Sequence, residues 1–67
     1  MQIKSRKNFS SIRIKKGFSI TGLAKVMKVN PSVVFKMEKG NEVRPATAKK
    51  ACIALKEEFE TLFIIEN

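Results

Sequence analysis

The 67-residue chain has no histidine, one cysteine, three glycines, two prolines and six acidic side chains against fourteen basic ones. Each scarcity removes a class of function. A single Cys52 cannot close an internal disulfide, and with no histidine to help it cannot assemble a zinc site. No glycine-rich loop is available to cradle a phosphate, and no carboxylates cluster at metal-ligand spacing. An enzyme is therefore not expected, and neither is a cofactor, a metal or a small-molecule ligand. Apolar runs are short as well. None approaches the roughly 20 residues that cross a bilayer, so no membrane role is expected. Lys4, Arg6 and Lys7 have no apolar stretch behind them of the kind a signal peptide carries. A reduced, cytoplasmic setting is the expectation. A chain this short buries only about 60% of its unfolded surface, so one domain of modest stability is expected unless it oligomerises. There is neither an internal repeat nor a low-complexity stretch.

Basic charge is what the sequence has in excess. Residues 1–50 hold thirteen Lys/Arg against Glu38 and Glu42, while residues 51–67 hold Lys56 against four Glu, within an overall formal charge of +8. Such asymmetry suits a body that faces a polyanion and a more acidic C-terminal end.

The stretch from Phe18 to Gly40 organises the rest. Leu23, Ala24, Met27, Val29, Val34 and Met37 recur at spacings that fit two short amphipathic helices broken by a tight turn. Ser19 can cap the first of these, about Ile20 to Met27. Asn30 can cap the second, and Pro31 suits its first position because the N–H it lacks would be unpaired there. Two helices so joined form a helix-turn-helix, which presents its second helix outward. With the basic charge, this makes nucleic acid the favoured partner.

Before this unit, residues 1–7 read either as a disordered basic arm or as a short strand, Gln2 to Lys4, pairing with the β-prone Phe63-Ile64-Ile65. A first helix is expected from Asn8, as cap, to Lys16, ended by Gly17. Gly22 inside the second helix costs up to about 1 kcal/mol relative to alanine, and close packing is the simplest reason for it. The outward helix is expected from Pro31 to Lys39, ending at Gly40. Asn41 to Arg44 reads as a loop closed by Pro45. A fourth helix follows from about Ala46 to Lys56, with Cys52 on its apolar face as a small core hydrophobe. A fifth, short helix spans about Phe59 to Phe63, and residues 64–67 form a tail. The expectation is an all-α bundle of five short helices in residues 8–63, with a terminal β-ribbon as an option.

The run from Phe9 to Phe63 resembles the lambda-repressor-like, Cro-type helix-turn-helix domains of phage repressors and bacterial regulators. The likeness rests on Phe9-x-x-Ile12-Arg13, Gly17-Phe18-Ser19, Leu23-Ala24, Val29, Val34 and Met37-Glu38-x-Gly40. It continues through Pro45, Thr47-Ala48-Lys49-Lys50, Ala54-Leu55 and Leu62-Phe63. The resemblance implies that Ala24 sits at a helix crossing, that Val29, Val34 and Met37 plug the underside of the outward helix, and that Arg13 pairs with Glu38. Two positions depart from the family's pattern. Lys28 stands where glycine is usual in the turn, so it must take a left-handed conformation at roughly 1–2 kcal/mol or sit in a modified turn. Ile20 stands where a phosphate-contacting glutamine is common, so the backbone clamp must differ.

The resemblance further implies double-stranded DNA as the partner, with the outward helix entering the major groove. The base-facing set is then Asn30, Pro31, Ser32, Val33, Phe35 and Lys36. Lys36 suits guanine O6 and N7, and Val33 suits a thymine methyl. Ser19, Lys39, Asn41 and Arg44 would contact phosphate. Members of the family usually bind inverted repeats as homodimers, which implies half-sites about 34–36 Å apart. Phe59, Leu62, Phe63, Ile64 and Ile65, with Ile53 beside them, are the candidate dimer surface or else complete the monomer core.

Two functions stay open at this point. One is a transcriptional regulator, repressor-like, which covers a promoter and responds through its own concentration or a protein partner. The other is an antitoxin-like module whose acidic, apolar C-terminal tail holds a partner protein.

Overall fold

Four helices end in the same backbone arrangement, and that arrangement decides where each one stops. The computed structural model describes all 67 residues. It runs β1 (Gln2–Ser5), α1 (Phe9–Lys15), α2 (Ile20–Met27), α3 (Pro31–Glu38), α4 (Pro45–Leu55), α5 (Phe59–Leu62) and β2 (Phe63–Glu66). At the end of α1 the Phe18 N–H reaches back to the Arg13 carbonyl at 3.1 Å, and at the end of α3 the Asn41 N–H reaches the Lys36 carbonyl at 3.1 Å. The same closure ends α2 (Val29 to Ala24, 3.0 Å) and α4 (Glu57 to Cys52, 3.1 Å). This arrangement needs a left-handed residue just past the helix. Gly17 and Gly40 supply it for α1 and α3, and Lys28 and Lys56 supply it for α2 and α4.

Helix starts follow the capping chemistry at two of the expected places. The Ser19 hydroxyl accepts the Gly22 N–H at 2.9 Å, and the Asn30 side-chain oxygen accepts the Ser32 N–H at 3.0 Å. Asn8 differs from the expectation, because its side chain makes no capping bond. The chain enters α1 through a backbone turn instead, with the Phe9 N–H on the Arg6 carbonyl at 3.0 Å. Helix boundaries differ from the sequence reading by one residue at half of the ends, as frayed termini do.

The core gathers Phe9, Leu23, Ala24, Met27, Val34, Met37, Ala48, Ala51, Leu55, Leu62 and Phe63, all nearly inaccessible, with Ile3 and Val43 at its edge. Small residues at Ala24, Ala48 and Ala51 let α2, α3 and α4 approach closely. The Phe63 ring lies 5.7 Å from that of Phe9 and 5.4 Å from that of Phe59. Leu62 and Phe63 are therefore corrected from a dimer surface to the monomer's own core: both are 0% exposed. Burying each contributes about 1.5–3 kcal/mol to folding, more than an exposed position would return.

The arm-or-strand choice for the N-terminus resolves to a strand. β1 and β2 pair antiparallel, Gln2 opposite Glu66 and Ser5 opposite Phe63. The loop expected from Asn41 to Arg44 is a loop that also touches this ribbon, since the Val43 N–H bonds the Ile3 carbonyl at 2.7 Å and Val43 is buried. Three further contacts tie the ribbon down. The Ser5 hydroxyl donates to the Met37 carbonyl near the end of α3. The Arg6 N–H and guanidinium bond the Leu62 and Glu60 carbonyls at 2.8 and 2.7 Å.

Candidate nucleic-acid interface

α3 owes its position to residues on its inner side. Val34 and Met37 are buried against α2, which leaves Ser32, Phe35, Lys36 and Lys39 exposed on the outer side. Pro31 and Asn30 are exposed at its start, and Asn30 spends its side-chain oxygen on the cap, leaving its amide N–H groups free to donate. Val33 is half-buried and shares a shallow groove of about 440 Å³ with Lys36, Asn41 and Arg44. Thr47 and Glu42 line the same groove. Residues assigned separately to bases and to phosphates thus border one depression between α3 and the start of α4.

Ser19 lies at the N-terminus of α2, exposed, where unpaired N–H groups and the helix dipole favour an anion. Lys39 is placed differently from a free phosphate-seeking lysine: its ammonium stands 4.7 Å from the centre of the Phe35 ring. The spacing of four residues along a helix carries that signal in the sequence, because i and i+4 side chains meet. Glu42 carries no signal of a site in the sequence, because only the fold brings it to the same groove as Lys36.

The frame behind α3 is held by Arg13, which is buried and pairs with Glu38 through both carboxylate oxygens, one contact at 3.3 Å. Its remaining donors reach the Phe18 carbonyl at 2.7 Å and the Ser10 hydroxyl at 3.3 Å. The end of α3, the end of α1 and the entry to α2 are thereby joined at one guanidinium.

Comparison with known protein families matches residues 10–62 to the family described as Helix-turn-helix, a match that spans most of the chain. The chain belongs to the Cro/C1-type helix-turn-helix family. It is thus a helix-turn-helix domain of a family that binds double-stranded DNA and is not an enzyme family. No curated protein matches the chain. The helix-turn-helix proper is α2, the turn at Lys28 and Val29, and α3. No group of His, Cys, Asp and Glu side chains is arranged to hold a metal ion, and no helix is long and apolar enough to cross a membrane. Cys52 packs partly buried beside the core, and burial, with help from Glu58 and Glu60, pushes its thiol above the ordinary range. That shift opposes the reactive thiolate.

Of the other candidate dimer residues, Phe59 and Ile64 are half-buried and Ile65 is exposed. Phe59 and Ile65 line one groove with Met1 and Cys52. Ile53 is not part of it, because it projects from the opposite flank of α4 toward Val26.

Proposed function

We propose that this helix-turn-helix protein is a sequence-specific transcriptional regulator that represses by covering its operator, with α3 in the major groove. The observation that carries the reading is the shared groove: Val33 and Lys36 from α3 meet Asn41 and Arg44 from the next connection around one open depression, where Lys36 and Arg44 outweigh Glu42 in charge. Side chains at that junction can address base edges and the flanking backbone together, which is how register and sequence are fixed at once. In this reading Asn30, Ser32, Val33 and Lys36 read bases, Pro31 and Phe35 border the contact, and Ser19, Lys39, Asn41 and Arg44 hold phosphate. A homodimer forms through Phe59 and Ile65 around the groove that also contains Met1, with Ile64 on the opposite face of the ribbon and outside that surface. The burial of Leu62 and Phe63 removes two of the apolar side chains that a tail-bound protein partner would use, so the DNA reading is preferred.

Selection from random duplex DNA, followed by affinity measurement against salt, tests it. The expected result is an enriched inverted repeat with half-sites near one helical turn apart. Recovery of no sequence, with only weak salt-sensitive binding, overturns it.

A further inference from the structure

Helix α4 has an apolar groove on each flank. The groove on the ribbon side belongs to the dimer surface just described. The other, about 240 Å³, lies between the end of α2 and the second half of α4, lined by Val26, Met27, Lys28, Lys50, Ile53 and Ala54. Its two largest aliphatic side chains are left in water: Val26 is 53% exposed and Ile53 66% exposed. The core does not require them there, since Met27, Ala51 and Leu55 already fill the α2–α4 contact from within. Adjacent exposed aliphatics around a concavity mark an interaction site more often than scattered ones do.

The rim of the groove is basic, and its charge is unanswered within the chain. Glu38 is engaged by Arg13, Glu57 by Lys16 at 3.0 Å and Glu66 by Lys4 at 3.4 Å, and neither Lys28 nor Lys50 has an acidic partner. Lys28 is also held at φ 60°, a backbone conformation that glycine adopts without strain. That conformation fixes Lys28 at the corner where α2 ends, beside the groove. Phosphate would have no use for the aliphatic floor between the two lysines, so the surface suits a different polyanion from DNA.

We propose that the α2–α4 groove is a docking site for an acidic segment of a partner protein, with an aliphatic or aromatic side chain seated on Val26 and Ile53 and carboxylates facing Lys28 and Lys50. Apolar contact supplies affinity, and the lysine rim selects acidic over basic sequences. This site is separate from the DNA-contacting helix and from the proposed dimer surface, so its test uses the free protein and does not depend on either.

A random linear peptide library is selected against the protein, with the Ile53→Asp variant as counter-target. The expected enrichment is Asp or Glu around Leu, Ile or Phe. A synthetic peptide of that sequence should perturb the amide signals of Val26, Lys28 and Ile53, and Ile53→Asp should weaken it about tenfold or more. Lys28→Gly separates recognition from folding: it should raise Tm while weakening the peptide, whereas a structural lysine would leave peptide binding unmoved. Lys50→Gln, at an exposed position, should weaken the peptide with Tm unchanged. The proposal is overturned if no sequence survives counter-selection, or if enriched peptides are basic or neutral. It is also overturned if Ile53→Asp dissociates a dimer in sedimentation equilibrium, which would make the occupant a second copy. Binding confined to vesicles of anionic lipid would overturn it as well.

Discussion

Arg13 and Glu38 face each other across the helix bundle in a two-point pairing that sequesters both charges, with side chains only 10% and 12% exposed. Removing one partner strands the other in a largely dry site, which costs more than the intact pair contributes. Glu38→Ala should therefore destabilise the fold by roughly 3 kcal/mol, near the low end for a broken buried pair. For a domain of this size Tm should fall on the order of 15 °C. Replacing both residues with apolar ones, Arg13→Met with Glu38→Leu, should recover a substantial part of that loss in thermal melts. A double variant no better than Glu38→Ala alone would mean that the bonds from Arg13 to Phe18 and Ser10 are what matters.

Gly22 is explained by its neighbour. A Cβ built on it would lie 3.1 Å from the Ser19 hydroxyl oxygen that caps α2. Alanine gains up to about 1 kcal/mol of helix propensity but must displace that cap, itself worth about 1 kcal/mol. Gly22→Ala should consequently change stability little in the native background and stabilise clearly when Ser19→Ala is already present. Chemical denaturation of the four proteins of that cycle measures the difference, and strict additivity would rule the explanation out.

Lys56 closes α4 at φ 56° and, unlike Lys28, lies outside the α2–α4 groove. Lys56→Gly should raise Tm by a few degrees, the return on roughly 1 kcal/mol of relieved left-handed strain less the entropy glycine adds to the unfolded chain. It should leave peptide and DNA binding unaltered, which makes it the control for Lys28→Gly.

These left-handed lysines show where sequence reasoning stops. Gly17 and Gly40 announced the ends of α1 and α3, and Ser19 and Asn30-Pro31 announced the starts of α2 and α3, because each residue type has a local backbone reason to be there. Lys28 was suspect only against the family's usual glycine, and Lys56 carried no signal, since tertiary packing rather than propensity selects its conformation. The ribbon was half legible: β-prone residues stood at both ends, yet the Ile3–Val43 bridge depends on a contact forty residues distant. Apolar periodicity likewise could not say whether Leu62 and Phe63 faced inward or toward a second chain, because the fifth helix is a single turn.

That distinction yields a test at the C-terminal end. Phe63→Ala should cost about 3–5 kcal/mol, most of what so small a domain can spare, and the loss should not depend on protein concentration. Ile65→Asp, at an exposed site, should change monomer stability by no more than about 0.5 kcal/mol while shifting sedimentation equilibrium toward monomer. An Ile65→Asp protein that assembles as the native chain does would exclude the ribbon groove as the dimer surface.

Lys36 and Lys39 sit three residues apart on α3 yet should fail differently when truncated. Lys36 lines the groove with Val33, so Lys36→Ala should cost about 1–3 kcal/mol on the preferred site and relax a single base position. Lys39 rests on the Phe35 ring and must leave it to reach phosphate, forfeiting about 0.5–1 kcal/mol of cation–π attraction. Lys39→Ala should thus weaken every sequence alike, by a modest factor, and lower the steepness of log affinity against log salt by about 0.9, the release expected for one phosphate contact. Phe35→Ala frees the lysine without removing its charge and should leave that steepness unchanged. Salt titrations on the selected operator and on an unrelated duplex separate these outcomes. A Lys39→Ala protein with altered sequence preference and an unaltered salt slope would move Lys39 from the phosphate set to the base-reading set, and with it the register of α3 in the groove.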